Sequence, residues 1–293
     1  MDSRMNPSVI VSLGRLADRT PGAAAGAALV GAGLAERLST VPRAVGTPAA
    51  PKEDGFGAAL AEAAPNLRAL SIEVSAALEL GAVPLIAGNK CPVGLASLPV
   101  AAAAHPDLAV VWFDAHGDFH TPATSASGYL GGMVLAAACG LWDSGHGAGV
   151  DPANVVLVGA RDLDAAEAEL LTKHGVTVLT PREAEPDRLR SFVAGRPLWV
   201  HVDLDVLEPG HVPLDYEVPG GLTPDELRAC LAALKGECLV GLEVTEFEAP
   251  AAYAAAWRAA PHWPPPAADA STAAAVATVM SALEPLLAPL ADS

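Results

Sequence analysis

The sequence predicts an α/β fold, a three-layer αβα sandwich built on a mostly parallel sheet. Three observations lead there. Strand-like and helix-like segments alternate along the chain. The strand segments are continuous apolar runs, as in residues 108–113, which is how strands buried on both faces read. The candidate ligands all fall at the C-terminal ends of such runs, where open parallel sheets bind their ligands. No linker is long enough to divide the chain and no internal repeat shows, so residues 1–293 are expected to form one domain.

Each element follows from local signals. Residues 1–7 read as a disordered leader and residues 9–13 as a short strand. Thr20-Pro21 opens a small-residue helix reaching about residue 38, with proline at its first position. Residues 40–57 read as a loop, 65–80 as a helix with Leu67, Leu70, Ile72, Val74 and Leu78 on its apolar face, and 83–87 as a strand. After the turn Gly88-Asn89-Lys90-Cys91-Pro92 a helix spans 93–104, then comes the strand 108–113. A Ser/Thr/Gly loop at 123–129 leads to a helix over 131–139, and 144–149 form a surface turn. Strands are predicted at 154–158 and 176–179, helices at 164–173 and 183–193, and a further strand runs into Asp203. Thr223-Pro224-Asp225-Glu226 opens a helix with a cap, a proline at the first position and an acidic first turn. Residues 239–244 are a strand, 250–269 an irregular Pro/Ala/Trp-rich excursion, and 271–290 the closing helix.

The 293 residues are 52% hydrophobic, enough for a sizeable core. Alanine dominates and lysine is scarce, as high-GC coding produces. A net charge of −17 argues against nucleic acid or an anionic membrane as partner and favours solubility. Cys91, Cys139, Cys230 and Cys238 form no CxxC pair. With no basic and apolar leader at the start, a reduced cytoplasm is expected. No apolar run reaches the roughly 18 residues of a membrane span.

The chemistry concentrates at Asp114-Ala115-His116-Gly117-Asp118 and at Asp203-Leu204-Asp205. In an extended chain, residues i, i+2 and i+4 point to one side, so each motif converges on a point at the end of a buried strand. Unpaired charge is costly there, and a metal ion would resolve the cost. Four carboxylates and one imidazole make a hard, oxygen-rich set large enough for two divalent cations, and the histidine tips the choice toward manganese.

These motifs resemble those of the arginase/agmatinase (ureohydrolase) family. The resemblance also takes in Val206-Leu207-Glu208-Pro209 and Gly241-Leu242-Glu243-Val244-Thr245-Glu246 with Pro250 soon after. More narrowly, Gly128-Tyr129-Leu130-Gly131-Gly132-Met133 and residues 140–147 resemble the branch that hydrolyses N-hydroxyarginine, with release of hydroxyurea, in D-cycloserine biosynthesis. The resemblance implies an arginase-like fold and two Mn2+ ions held by Asp114, His116, Asp118, Asp203 and Asp205. It implies attack on the guanidinium carbon by a hydroxide between the ions. Asp118 and Glu246 would be catalytic, Glu246 as acceptor of the guanidinium. Asp164 and Glu167, three apart at a helix start, would hold the substrate's α-amino group; their plain alternative is an acidic first turn.

Three departures from the family pattern stand out. A histidine ligand is replaced by Cys91, which would ligate as thiolate. Lys90 beside it cannot ligate and would offset the acidic cluster. The proton-shuttle histidine corresponds to Gly131, which suits a substrate less basic than arginine. His120 replaces an asparagine that helps hold the substrate carboxylate, leaving Ser125 and Ser127 as further donors. His201 reads as a packing or supporting residue, and His146, His211 and His262 as surface residues.

The implied reaction is hydrolysis of N-omega-hydroxy-L-arginine to hydroxyurea and L-ornithine. Alternatives are an arginase or other guanidino hydrolase releasing urea, and a catalytically weak binding protein on the same fold. A metallophosphoesterase shares D-x-H and the Gly-Asn turn, but in the wrong order. The expected partner is a small guanidino amino acid; an oligomer is compatible with the sequence.

Overall fold

The computed structural model describes residues 6–291. Its centre is an eight-stranded sheet: β1 (Pro7–Ser12), β2 (Arg43–Val45), β3 (Val83–Ala87), β4 (Ala109–Phe113), β5 (Val155–Val158), β6 (Thr177–Leu179), β7 (Pro197–Asp203) and β8 (Cys238–Thr245). The order is β2-β1-β3-β8-β7-β4-β5-β6, and every neighbouring pair is parallel. The helices are α1 (Ala23–Arg37), α2 (Phe56–Glu79), α3 (Gly94–Ala104), α4 (Val134–Ala138), α5 (Ala165–His174), α6 (Pro186–Val193), α7 (Pro224–Ala233), α8 (Ala251–Ala259) and α9 (Ala270–Ala291).

The apolar strand runs feed two cores. In β4, Val111 and Phe113 pack with α1, α6, α7, α8 and α9, while Val110 and Trp112 pack with α2, α3, α4 and α5. Successive side chains leave a strand on opposite faces, so a strand covered on both sides needs apolar residues throughout. The three-layer sandwich is therefore present, with a sheet that is wholly parallel.

Several elements differ from the sequence reading. Of the leader expected at residues 1–7, residues 1–5 lie outside the described residues, and Pro7 already belongs to β1. The stretch 40–57 holds the edge strand β2, which three residues could not signal. Helix α1 is capped by Gly22 rather than begun at Pro21. Helix α2 starts at Phe56 and keeps Pro65 inside it. An internal proline costs about 3 kcal/mol, but Ala59, Ala63, Leu67, Leu70 and Val74 run through it as one buried stripe. The helix expected from residue 183 begins at Pro186 and follows a separate capped turn at Pro181–Glu183. Within 250–269, α8 forms and buries Trp257. Helix α9 is long and apolar enough to cross a membrane by length and composition alone; it packs on α1 and α7, burying Leu283, Leu286, Leu287 and Leu290.

The four central strands β3, β8, β7 and β4 are neighbours, and their carboxyl ends lead into Cys91, Glu246, Asp203 and Asp114. The sheet thus gathers residues far apart in sequence at one edge.

Candidate metal centre

The first acidic motif converges by turning rather than by staying extended. Strand β4 ends at Phe113. Asp114 folds back, Oδ1 accepting the His116 backbone N–H at 2.6 Å and Oδ2 accepting the Trp112 indole N–H at 2.9 Å. Asp118 takes a left-handed backbone, φ 49°. In the second motif, Asp203 closes β7 and its Oδ1 accepts the Asp205 N–H at 2.8 Å, opening a 3-10 turn. Asp205 then joins the two motifs. Its Oδ1 accepts the Ala115 N–H at 3.0 Å, and its Oδ2 lies 3.0 Å from His116 Nδ1.

Cys91 enters from the end of β3, its thiol donating to Asp203 Oδ2 at 2.9 Å. Glu246 enters from β8 with φ 70°, a second non-glycine residue in the left-handed region. Such backbones cost on the order of 1 kcal/mol or more and cluster at functional sites. Three groups have ligand atoms all within 4.8 Å of one another: Cys91, Asp114 and Asp118; Cys91, Asp203 and Glu246; Asp114, His116 and Asp205. Because they share Cys91 and Asp114, they form one continuous cluster. Asp118 Oδ2 is buried with no hydrogen-bond partner among the described residues. A buried carboxylate oxygen left unpaired, within a set of carboxylates, a thiol and an imidazole, fits a divalent cation.

The electrostatics agree. Burial, then neighbouring acids, raises the carboxyls of Asp114, Asp118 and Asp203 above their ordinary range. Burial, then the nearby carboxylates, pushes the Cys91 thiol up as well. Burial opposes charge on His116, yet hydrogen bonds to Asp114 and Asp205 hold its imidazolium far above its usual value. The same histidine lowers Asp205 against the effect of burial.

Beside it lies a buried ion pair. Lys90 is wholly buried, its Nζ 2.5 Å from Glu246 Oε2, 2.9 Å from Asp215 Oδ2 and 3.6 Å from Glu248 Oε1. Burial works against the ammonium, but Glu246 and the other anions keep it charged. Burial raises the Glu246 carboxyl to about 7 even with that ammonium alongside. Lys90 does offset acids, and the ones it touches are those around Glu246.

Behind the ligands runs a hydrogen-bond chain. Cys91 Sγ is 3.4 Å from Thr245 Oγ1, which is 3.3 Å from His201 Nε2, and His201 Nδ1 is 2.7 Å from Glu243 Oε2. Ser97 donates to the other Glu243 oxygen. Trp112 stacks on His201 with ring centroids 3.5 Å apart. His201 thus supports Cys91 through Thr245 and packs on the indole that holds Asp114.

A cavity of about 380 Å³ opens over the cluster. At its mouth His120 Nε2 is 3.3 Å from Asp164 Oδ2. Asp164 also caps α5, its Oδ1 accepting the Glu167 N–H at 2.9 Å, and its side chain lines the cavity. Glu167 is buried and accepts the Phe119 N–H at 2.9 Å. A Cβ at Gly117 would lie 2.5 Å from Glu167 Cδ, which is why glycine splits the first motif. Ser127 lines the cavity, but Ser125 does not; its hydroxyl instead accepts the Gly128 N–H at 3.1 Å and shapes the loop. His211 and His262 are exposed and His146 is half-buried. The sequence reading gave no site role to Arg19, Tyr129 and Tyr216, which also line the cavity. They come from loops, where no periodicity marks a side chain as inward-facing.

Comparison with known proteins bears on this geometry. The Arginase family model matches residues 42–283. An N(omega)-hydroxy-L-arginine amidinohydrolase from Streptomyces lavendulae is 46% identical over 243 residues, which is 83% of this chain and 89% of that one. An arginase from Bacillus caldovelox is 33% identical over 183 residues, 56% of this chain and 60% of that one. The crystal structure of the Bacillus subtilis arginase superposes with a TM-score of 0.76 at 26% identity, covering 95% of this chain and 98% of that one.

Proposed function

The chain belongs to the arginase family, and on that premise we propose that it hydrolyses N-omega-hydroxy-L-arginine to hydroxyurea and L-ornithine with two Mn2+ ions. It is a hydrolase acting on guanidino compounds. The observation that carries the narrower reading is the Lys90–Glu246 pair, at 2.5 Å. A guanidinium approaching Glu246 meets a carboxylate already neutralised by a buried cation. An N-hydroxyguanidine is a weaker base than a guanidine, so it can arrive uncharged and share hydrogen bonds with the pair. The 46% identical relative, an N(omega)-hydroxy-L-arginine amidinohydrolase, points the same way.

Cys91, Asp114, His116, Asp118, Asp203 and Asp205 would hold the ions. Bound there, two divalent cations supply the Lewis acidity that lowers the pKa of the attacking water and offsets developing negative charge. The chain's own groups do the rest. Glu246, anchored by Lys90 and by the Cys91 N–H at 3.3 Å, orients the guanidino plane. Asp164 and Glu167 offer negative charge to the α-amino group, while His120 and Ser127 offer donors to the carboxylate. Asp118, which lines the cavity, would also accept a hydrogen bond from the attacking water.

The rival is urea release from arginine, favoured by the retained Glu246 and the 33% identical arginase. Steady-state kinetics of the Mn-loaded protein on arginine, N-hydroxyarginine and agmatine decide between them. N-hydroxyarginine should have the highest kcat/KM and yield hydroxyurea; a higher value for arginine, with urea as product, would overturn the proposal.

A further inference from the structure

Gly131 and Tyr129 share one place in the cavity wall. A Cβ at Gly131 would sit 2.4 Å from Tyr129 Cε1, so the phenol ring fills the volume that a side chain at 131 would need. The ring is held from two sides. The Arg19 guanidinium lies 4.4 Å from its centroid, and the Tyr216 ring lies 6.0 Å away. Arg19 is itself tied down by Glu53 at 3.4 Å and by the Asp54 carbonyl at 3.3 Å. The Tyr129 N–H donates to Ser127 Oγ at 3.2 Å, which fixes the backbone below the ring.

At the end of this fixed ring the hydroxyl is buried and has no hydrogen-bond partner among the described residues. A buried unsatisfied polar group costs about 1–3 kcal/mol. Tyr129 lines the same cavity wall as Cys91, Tyr216 and Glu246, the last being the group read as the guanidino acceptor. Burial raises the phenol well above its ordinary value, so it keeps its proton and remains a donor. The terminal nitrogens of a guanidinium only donate, and they leave that O–H without an acceptor. A hydroxyl oxygen on the same nitrogen both accepts and donates.

From this complementarity we infer that Tyr129 is the specificity-determining residue for the N-hydroxyl group, its O–H donating to the hydroxyl oxygen of the bound hydroxyguanidine. The inference rests on the substrate reading above. Tyr129 makes and breaks no bond; it rewards the one substrate that satisfies its hydroxyl. Sites built to hydrogen-bond a substrate hydroxyl discriminate strongly against analogues that lack it.

The test is Tyr129→Phe in the Mn-loaded protein, which removes one oxygen and keeps the ring. Its kcat/KM for N-hydroxyarginine should fall about 10- to 100-fold, while the inhibition constant of arginine as competitor stays within about twofold. A parallel loss for both ligands, or no loss for either, overturns the inference. Gly131→Ala, which forces the ring aside, should reproduce the selective loss. Calorimetry supplies a readout without turnover: wild type should bind hydroxyurea more tightly than urea, and Tyr129→Phe should lose that preference. A variant that keeps the preference also overturns the inference. Should wild type hydrolyse arginine better than N-hydroxyarginine, the substrate reading fails by that result alone, and the hydroxyurea-to-urea ratio still reports on Tyr129 separately.

Discussion

Lys90 carries its charge where water does not reach, among Glu246, Asp215 and Glu248. Removing one member of a buried ion pair leaves the others uncompensated, at a cost of about 3–5 kcal/mol. Lys90→Gln should therefore lower stability by about 3 kcal/mol in chemical unfolding. It should also free Glu246 for a cationic guanidinium. The preference for N-hydroxyarginine over arginine should shrink about tenfold, as expected for loss of a repulsive element. An unchanged preference would show that the pair does not filter substrate charge. At this scale the sequence is uneven evidence. Asp114, Asp203 and Asp205 stand out because charge at the end of an apolar run has no other reason to be there. Tyr129 and Arg19 do not stand out, since an aromatic or basic residue in a loop is ordinary until the fold turns it inward.

Among the elements, the turns beyond β4 and β7 matter more than the strands. The spacing of Asp114, His116 and Asp118 implied convergence along an extended chain; the convergence exists, but an aspartate-capped turn and a left-handed Asp118 produce it. Spacing shows that residues belong together and leaves the path open. The turn after β7 is held by Arg161. Its guanidinium donates to the carbonyls of Gly159, Asp205, Val206, Leu207 and Val218 at 2.6–3.3 Å. Glutamine has too few donors to replace it. Arg161→Gln should cost about 2–4 kcal/mol and lower Tm by about 5 °C. It should also weaken Mn2+ binding, because Asp205 rides on that turn. Unchanged metal affinity would mean that the turn holds its shape without the clamp.

For the whole molecule, the parallel sheet was legible because two covered faces demand apolar residues at every strand position. The edge strand β2 and the helix α8 were not, being short and compositionally unremarkable. Folding places a dense set of acids at one edge of this sheet, and that has a thermodynamic consequence. Burial raises Asp114, Asp118, Asp203 and Glu246 in the folded, metal-free state, and carboxylate contacts raise His116. A folded state that binds more protons than the unfolded one loses stability as pH rises. His146, lowered by burial, opposes this as one group against several; Asp205, Asp164, Glu183, Glu226, Asp269 and Glu284 are lowered carboxyls that oppose it too. The contribution of those carboxyls is complete once pH exceeds the ordinary carboxylate values of about 4. Above about pH 5 the raised groups dominate. Chelator-treated protein should therefore become less stable between about pH 5 and 8. Mn2+ should reverse that trend, since metal binding requires deprotonated ligands and tightens as pH rises. A metal-free protein that gains stability over this range would contradict the buried acidic cluster.

The central claim is that this cavity selects an N-hydroxyguanidine over a guanidinium. Supplying Mn-loaded protein with arginine and N-hydroxyarginine in equal amounts tests it directly, because the early ratio of hydroxyurea to urea equals the ratio of the two kcat/KM values. Hydroxyurea in clear excess is the predicted result; urea in excess would contradict it.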